Sequence, residues 1–221
     1  GKPVSITGIY PQGIKDVYEV TMSDGSKTRC CENHLWSTKT KSELKMGKGF
    51  TTKETKDIIK TIRVGNNSKN HEIPLCESVC FDEQKILIDP YLLGLLLGDG
   101  SLHETASITF CNNDSEFEYL LEEVIPNETK LNKFEGNGQR ASGWRIVKKD
   151  GYNNNILKEY LMNYGLLGKK SHNKFIPNCY KFNSKEIRMS VLSGLLDTDG
   201  HIEKHRSGKT RICYSTTSEQ L

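Results

Sequence analysis

Residues 92–100 read LLGLLLGDG and residues 192–200 read LSGLLDTDG; Leu, Gly, Leu, Leu, Asp and Gly recur at the same offsets, six of nine positions. The two aspartates, Asp99 and Asp199, stand 100 residues apart, much farther than a solenoid or propeller repeat. One chain carrying two copies of a half-domain, with its motif helices meeting on a pseudo-twofold axis, accounts for that separation. Leu92, Leu95 and Leu96 fall at i, i+3 and i+4, the apolar stripe of a short helix, and Pro90 suits its first turn. Gly94 costs such a helix about 1 kcal/mol relative to alanine. Its recurrence as Gly194 predicts two helix backbones in close approach. Gly100 and Gly200 then fall where a helix ends in a left-handed residue. Each aspartate is therefore expected at the negative end of a helix, beside carbonyls that lack an intrahelical donor. A hard divalent cation such as Mg²⁺, which takes carboxylate and carbonyl oxygens, answers both problems.

One copy alone reads as a buried helix followed by a turn, since Asp-Gly is a common turn dipeptide and Asp24-Gly25 looks like an ordinary hairpin. The apolar run before Asp99 is also far shorter than the ~18 residues of a membrane span. Repetition decides for function, and a symmetric pair of acids suits a symmetric substrate, duplex DNA.

The pair resembles the two motifs of LAGLIDADG homing endonucleases, over residues 88–221. The resemblance implies an α+β fold with two αββαββα halves forming a β-saddle over the DNA major groove. The endonuclease part is expected at 81–221, its first half at 88–165 and its second, incomplete, at 166–221. It implies Asp99 and Asp199 as catalytic, metal-binding acids, the carbonyls of Gly98 and Thr198 as co-ligands, and Mg²⁺ as cofactor. The first copy departs at Leu97, where the second keeps the acid Asp197. Between the motifs, GLLGKKSHNKFIP at 165–177 resembles the family segment ending Lys-x-Ile-Pro. That implies Lys174 as an assistant near one scissile phosphate, with Lys169 and Lys170 as competitors.

Composition agrees without deciding. The chain has 221 residues and a net charge of +3, a mild excess that many enzymes share. Positive charge gathers in QRASGWRIVKK (139–149) and HIEKHRSGKTR (201–211), which read as strands and turns. Arg140, Arg145, Lys148, Lys149, Lys169, Lys170, Arg206, Lys209 and Arg211 are the candidate DNA contacts, since such residues meet phosphates and guanine edges. Seven cysteines occur without a Cys-x-x-Cys pair and no signal peptide precedes them, which favours reduced intracellular thiols over zinc or disulfides. A cytoplasmic, nucleoid-associated monomer follows as the expectation, with no membrane partner.

The first 80 residues differ. Apolar and polar residues alternate around Pro11-Gln12-Gly13 and Ser23-Asp24-Gly25, which predicts short antiparallel strands with tight turns. Residues 40–70, rich in Lys, Thr and Asn, read as a mobile connector with a helical turn or two. The stretch 17–38, with Cys31-Glu32-Asn33-His34-Leu35-Trp36 after a hairpin, resembles the Hint splicing domain of inteins. It corresponds to the Thr-x-x-His segment, which implies that His34 polarises an upstream scissile amide; Cys31 stands in the threonine position. The chain opens Gly1-Lys2-Pro3 and stops at SEQL, so neither the first-residue nucleophile nor the C-terminal His-Asn pair of an intein is in it. STTSEQL (215–221) is expected to finish one hairpin and begin the next helix. The expected whole is an internal piece of an intein, flanked by host-protein exteins, with a DNA endonuclease inside. A splicing element with a decayed nuclease and a non-catalytic DNA-binding scaffold are the alternatives.

Overall fold

The computed structural model describes residues 4–136, 141–152, 154–204, 208 and 210–221. The chain divides into two compact units, meeting in sequence at residues 78 and 79.

In the first unit, β1 (Val17–Thr21) and β2 (Lys27–Cys31) form an antiparallel hairpin pairing Val17 with Cys31. Its turn is set by Gly25 at φ +88° and by the Asp24 carboxylate, which accepts from the Ser26 amide at 2.9 Å. No strand forms around Pro11-Gln12-Gly13; residues 4–16 are irregular and exposed, because their apolar side chains meet no second layer. Next come β3 (Leu35–Thr40), α1 (Lys41–Lys45), β4 (Thr51–Glu54), α2 (Thr55–Thr61), β5 (Arg63–Val64), β6 (Ser68–Lys69) and β7 (His71–Glu72). Strand β3 lies between β4 and β7. Residues 40–70 are thus ordered structure, not a connector. Thr40 and Glu43 make a reciprocal capping box that starts α1. Glu43 also takes Lys53 at 3.1 Å, and Thr40 and Lys53 together hold its carboxyl down at about 2.

The second unit carries α3 (Pro90–Gly98), β8 (Gly100–Ser101), β9 (Ile108–Cys111), α4 (Glu116–Val124), β10 (Thr129–Phe134), β11 (Gly143–Lys148) and α5 (Ile156–Asn163). That order is αββαββα, and the strands form one antiparallel sheet ordered β10-β11-β9-β8. A single 3₁₀ turn (Ser171–Asn173) and α6 (Asn178–Lys181) lead to α7 (Lys185–Asp199), β12 (Gly200–Lys204) and β13 (Thr210–Tyr214). This last trio repeats the first three elements of the unit. Residues 215–221 make a turn and no helix: Ser218 is buried and its hydroxyl donates to the Lys174 carbonyl at 2.7 Å. The fold class is α+β, as the sequence indicates.

Local chemistry explains the first motif helix. Asp89 caps it, its carboxylate accepting from the amides of Tyr91 and Leu92 at 2.8 and 3.1 Å, and Pro90 occupies the first turn. Leu92, Leu93, Leu95 and Leu96 are wholly buried. They belong to the same core as Ile108 and Phe110 of β9 and Trp144 and Ile146 of β11, which alternate along their strands with residues on the open face. Fully burying each leucine is worth about 1.5–3 kcal/mol. The approach to α3 is clipped by Tyr180, whose hydroxyl donates to the Ile88 carbonyl at 2.7 Å and accepts its amide at 3.1 Å.

Candidate active site

Helices α3 and α7 cross backbone to backbone. A Cβ placed on Gly94 would run into the Val191 carbonyl and lie 2.9 Å from the Gly194 Cα. One on Gly194 would meet the Tyr91 carbonyl and lie 2.8 Å from the Leu95 nitrogen. This is the close approach that the repeated glycine predicts. Gly98, one turn on, faces Thr198, and a Cβ there would stand 3.3 Å from the Asp199 carboxylate. The crossing therefore carries Asp99 and Asp199 to neighbouring places at the ends of the two helices.

The exits from the helices differ from expectation. Neither Gly100 nor Gly200 is left-handed; Gly200 has φ −80° and ψ 148° and starts β12 as Gly100 starts β8. Glycine is needed there for space, because a Cβ would press into the backbone of Leu96 or Leu196 one turn back. The hairpins then close on the motif in the same way: the Cys111 amide donates to the Asp99 carbonyl at 3.2 Å and the Ser215 amide to the Asp199 carbonyl at 3.4 Å.

Lys174 comes to this place and is buried there. It is 2% exposed, and its ammonium donates to the carbonyls of Leu96, Leu97, Gly98 and Gly100 at 2.9, 3.0, 3.1 and 2.7 Å. The first three are carbonyls left over at the end of α3 and the fourth opens β8, so Lys174 caps that helix from inside. Burial pulls its pKa from 10.5 to about 8, against the opposing pull of Asp199 and Asp99. The Asp199 carboxyl is raised above its ordinary value by burial first and by Asp99 second, with Lys174 working the other way. Gly98 gives one lone pair to Lys174, and a carbonyl has two. The Thr198 hydroxyl turns back on its own helix, donating to the carbonyls of Leu195 and Gly194 at 2.9 and 3.2 Å.

Of the basic candidates, Arg145 lies on the open face of the sheet, its guanidinium 4.6 Å from the centre of the Phe134 ring, a cation–π stack that fixes its direction. Lys148 shares strand parity with the buried Trp144 and Ile146, so it leaves that face, and its ammonium donates to the Tyr152 carbonyl at 2.8 Å. Lys149 is exposed just past the strand. Lys169 and Lys170 line a cleft of about 480 Å³ with Ser101, His103 and Lys174. Arg211 is exposed on β13, opposite Glu203. Arg140, Arg206 and Lys209 lie outside the described residues.

In the first unit His34 is exposed, its ring edge-on to Trp36 at 4.9 Å. Thr55 fixes its backbone, donating through its amide to the His34 carbonyl at 3.0 Å. The Thr55 hydroxyl also accepts from Trp36 Nε1 at 3.0 Å.

Three residues escape sequence reading. Asn112 donates to the Asp99 carboxylate at 3.1 Å. Its position just past β9 places it there, a signal available only once the register is known. Tyr91 donates to Asp197 at 2.7 Å, so the acid absent from the first copy ties α7 to the start of α3; burial and Asp197 push the phenol pKa upward. Cys111 closes β9 beside the motif.

Residues 186–221, which comprise α7 and the β12–β13 hairpin, match the model of a LAGLIDADG-like domain. Along its whole length the chain is 25% identical to the replicative DNA helicase DnaB of Mycobacterium intracellulare, over 35% of that protein. Over 59% of its length it is 29% identical to protein RecA of Mycobacterium tuberculosis, covering 16% of that protein. The RecA of Mycobacterium bovis matches to the same extent. The chain thus spans about a third or less of the curated relatives it matches.

Proposed function

We propose that this chain belongs to an intein-borne, single-chain LAGLIDADG homing endonuclease that hydrolyses both strands of a long duplex DNA target. The observation that carries this is the meeting of Asp99 and Asp199 at the ends of two helices locked together at Gly94 and Gly194. The site fits a hard cation: two neighbouring carboxylates, that of Asp199 raised by burial and then by the charge of Asp99, beside the Gly98 carbonyl with its spare lone pair. Asp99 and Asp199, with the carbonyls of Gly98 and Thr198, would hold Mg²⁺, which supplies Lewis-acid stabilisation of a phosphate and a more acidic bound water. Lys174 fixes the end of α3, so that Gly98 and Asp99 keep their direction. Asn112 orients the Asp99 carboxylate. Arg145, held on Phe134, and Lys169 and Lys170 at the cleft meet the DNA backbone or base edges.

The intein reading draws on the relatives. The chain matches a part of a helicase and a part of RecA, two differently named proteins, which is what an element inserted into host genes would give. His34, exposed and with its backbone fixed by Thr55, is then the residue that polarises the upstream extein junction.

The test is plasmid cleavage by the full protein that contains this chain, with a plasmid bearing the host coding sequence without the element. Linearisation at one site that needs Mg²⁺ and is lost in both Asp99→Asn and Asp199→Asn supports the proposal. Normal splicing without any cutting leaves a splicing element with a decayed nuclease. Tight binding to that site without cutting leaves a non-catalytic DNA-binding scaffold.

A further inference from the structure

The β12–β13 hairpin gathers a second set of metal-ligating side chains, separate in kind from the paired aspartates. His201 and Cys213 are directly opposite in the antiparallel register, and Glu203 is two residues along β12, on the same face. One ligand atom from each lies within 4.8 Å of the others, and His201 Nε2 stands 3.8 Å from the nearer Glu203 oxygen. Two ligands on one tetrahedral zinc, with bonds of about 2.0–2.3 Å, sit about 3.3–3.8 Å apart. The His–Glu spacing already meets that. The remainder close by about 1 Å, which side chains on a fixed ladder reach by rotation.

The geometry points to a binding site for a soft divalent transition metal, zinc above all, made by His201, Glu203 and Cys213 with one position open. The donor set excludes Mg²⁺ and Ca²⁺, since a thiolate and an imidazole select borderline or soft ions. Burial, and then the neighbouring Glu203, keep the thiol protonated in the free protein. On binding, the S–H bond is given up for the S–metal bond and the proton passes to the buffer.

Two further observations support the site. It is confined to the second copy: the equivalent register pair in the first is Ser101 with Thr109, which offers no thiolate. The His103 Nδ1 there already accepts from the amides of Thr105 and Ala106, both at 3.2 Å. The hairpin also has little packing of its own. Ile202 and Ile212, on its other face, are 67% and 70% exposed, and a two-stranded hairpin so placed is marginal in water. An ion bridging β12 to β13 supplies the cross-link that side-chain packing does not.

The experiment is a titration of the chain with Co²⁺ alone, followed by absorption, and a competition with Zn²⁺. The site predicts one equivalent giving a thiolate-to-cobalt charge-transfer band with intense tetrahedral ligand-field bands, displaced by Zn²⁺. Cys213→Ser abolishes the charge-transfer band. His201→Ala and Glu203→Gln weaken binding by more than about tenfold, since even outer partners of metal ligands count for that much. Cys111→Ser, beside the paired aspartates, and Asp99→Asn leave the band intact. Hydrogen exchange of the β12–β13 amides slows with Zn²⁺ only when Cys213 is present. A band that survives Cys213→Ser, or that disappears in Cys111→Ser, overturns the proposal, as does octahedral, thiolate-free cobalt in the parent chain. His201 and Glu203 are exposed and Cys213 is half-buried, and unchanged Trp144 fluorescence confirms that the second unit remains folded in each variant.

Discussion

Gly94→Ala replaces a hydrogen by a methyl group at the point where α3 and α7 touch. The methyl would stand 2.9 Å from the Gly194 Cα and 3.0 Å from the Leu195 nitrogen, while ordinary contact begins at 3.4 Å. The helices must therefore separate by at least about 0.5 Å, and by more where the Val191 carbonyl is in the way, because backbone in a helix cannot rotate aside. Overpacking of this kind costs about 1–3 kcal/mol, and the upper end applies when the obstacle is main chain. Alanine returns about 1 kcal/mol of helix propensity, leaving a net loss of about 2 kcal/mol. Gly194→Ala should lose a similar amount by the reciprocal contact. The double variant should lose much less than the sum, since helices already parted accommodate the second methyl group. The assay is urea unfolding followed by Trp144 in a Trp36→Phe background, with Ser193→Ala on the exposed side of α7 as a control that gains or loses no more than about 0.5 kcal/mol. Stabilisation by Gly94→Ala, or strict additivity of the pair, would refute the close crossing and with it the placing of the two acids.

Lys174→Met should cost about 3–5 kcal/mol of stability in the second unit, because it leaves four carbonyls without the ammonium that holds them. Unchanged urea stability with lost DNA cleavage would instead return Lys174 to the phosphate. His71 has its Nδ1 against Thr38 at 3.1 Å and its Nε2 against Thr61 at 2.9 Å, and burial, followed by Lys53, lowers its pKa below 6.5. The unfolded chain then holds more protons than the folded one as pH falls past 6.5. Stability of the first unit should be full above that value and decline towards the folded pKa. An imidazole titration by NMR with a midpoint at or above 6.5 would contradict this.

Much of the second unit could be read from the chain because its signals are local. Gly94 and Gly194 announced a helix crossing, and Asp89-Pro90 marked where α3 begins. The alternation of Trp144, Arg145 and Ile146 contained the open face of β11, and by the same parity would have moved Lys148 off it. What escaped depends on distant partners. The Lys-x-Ile-Pro segment places Lys174 near the paired acids, but hydropathy does not show the carbonyls that hold it at the end of α3 and the start of β8. Gly100 has the sequence context of a left-handed cap, yet it serves clearance from Leu96. Residues 40–70 look mobile by composition, but the Thr40–Glu43 box and the β3–β4 pairing organise them. His201, Glu203 and Cys213 have no recognisable spacing until the β12–β13 register brings 201 opposite 213.

The capping of α3 by Lys174 also sets an order in time. Its acceptors lie 74–78 residues upstream of it in the chain. At a synthesis rate of about 5–20 residues per second, the end of the first motif helix waits about 4–15 s for its counter-charge to be made. Through that interval Asp99 is at a helix end with three unanswered carbonyls and a fourth at Gly100, so the nascent first half can collapse around its leucines but cannot finish its acid-bearing corner. Completion of that corner is deferred until the segment leading into the second half has left the ribosome, which ties the two acids to a single, late event of assembly.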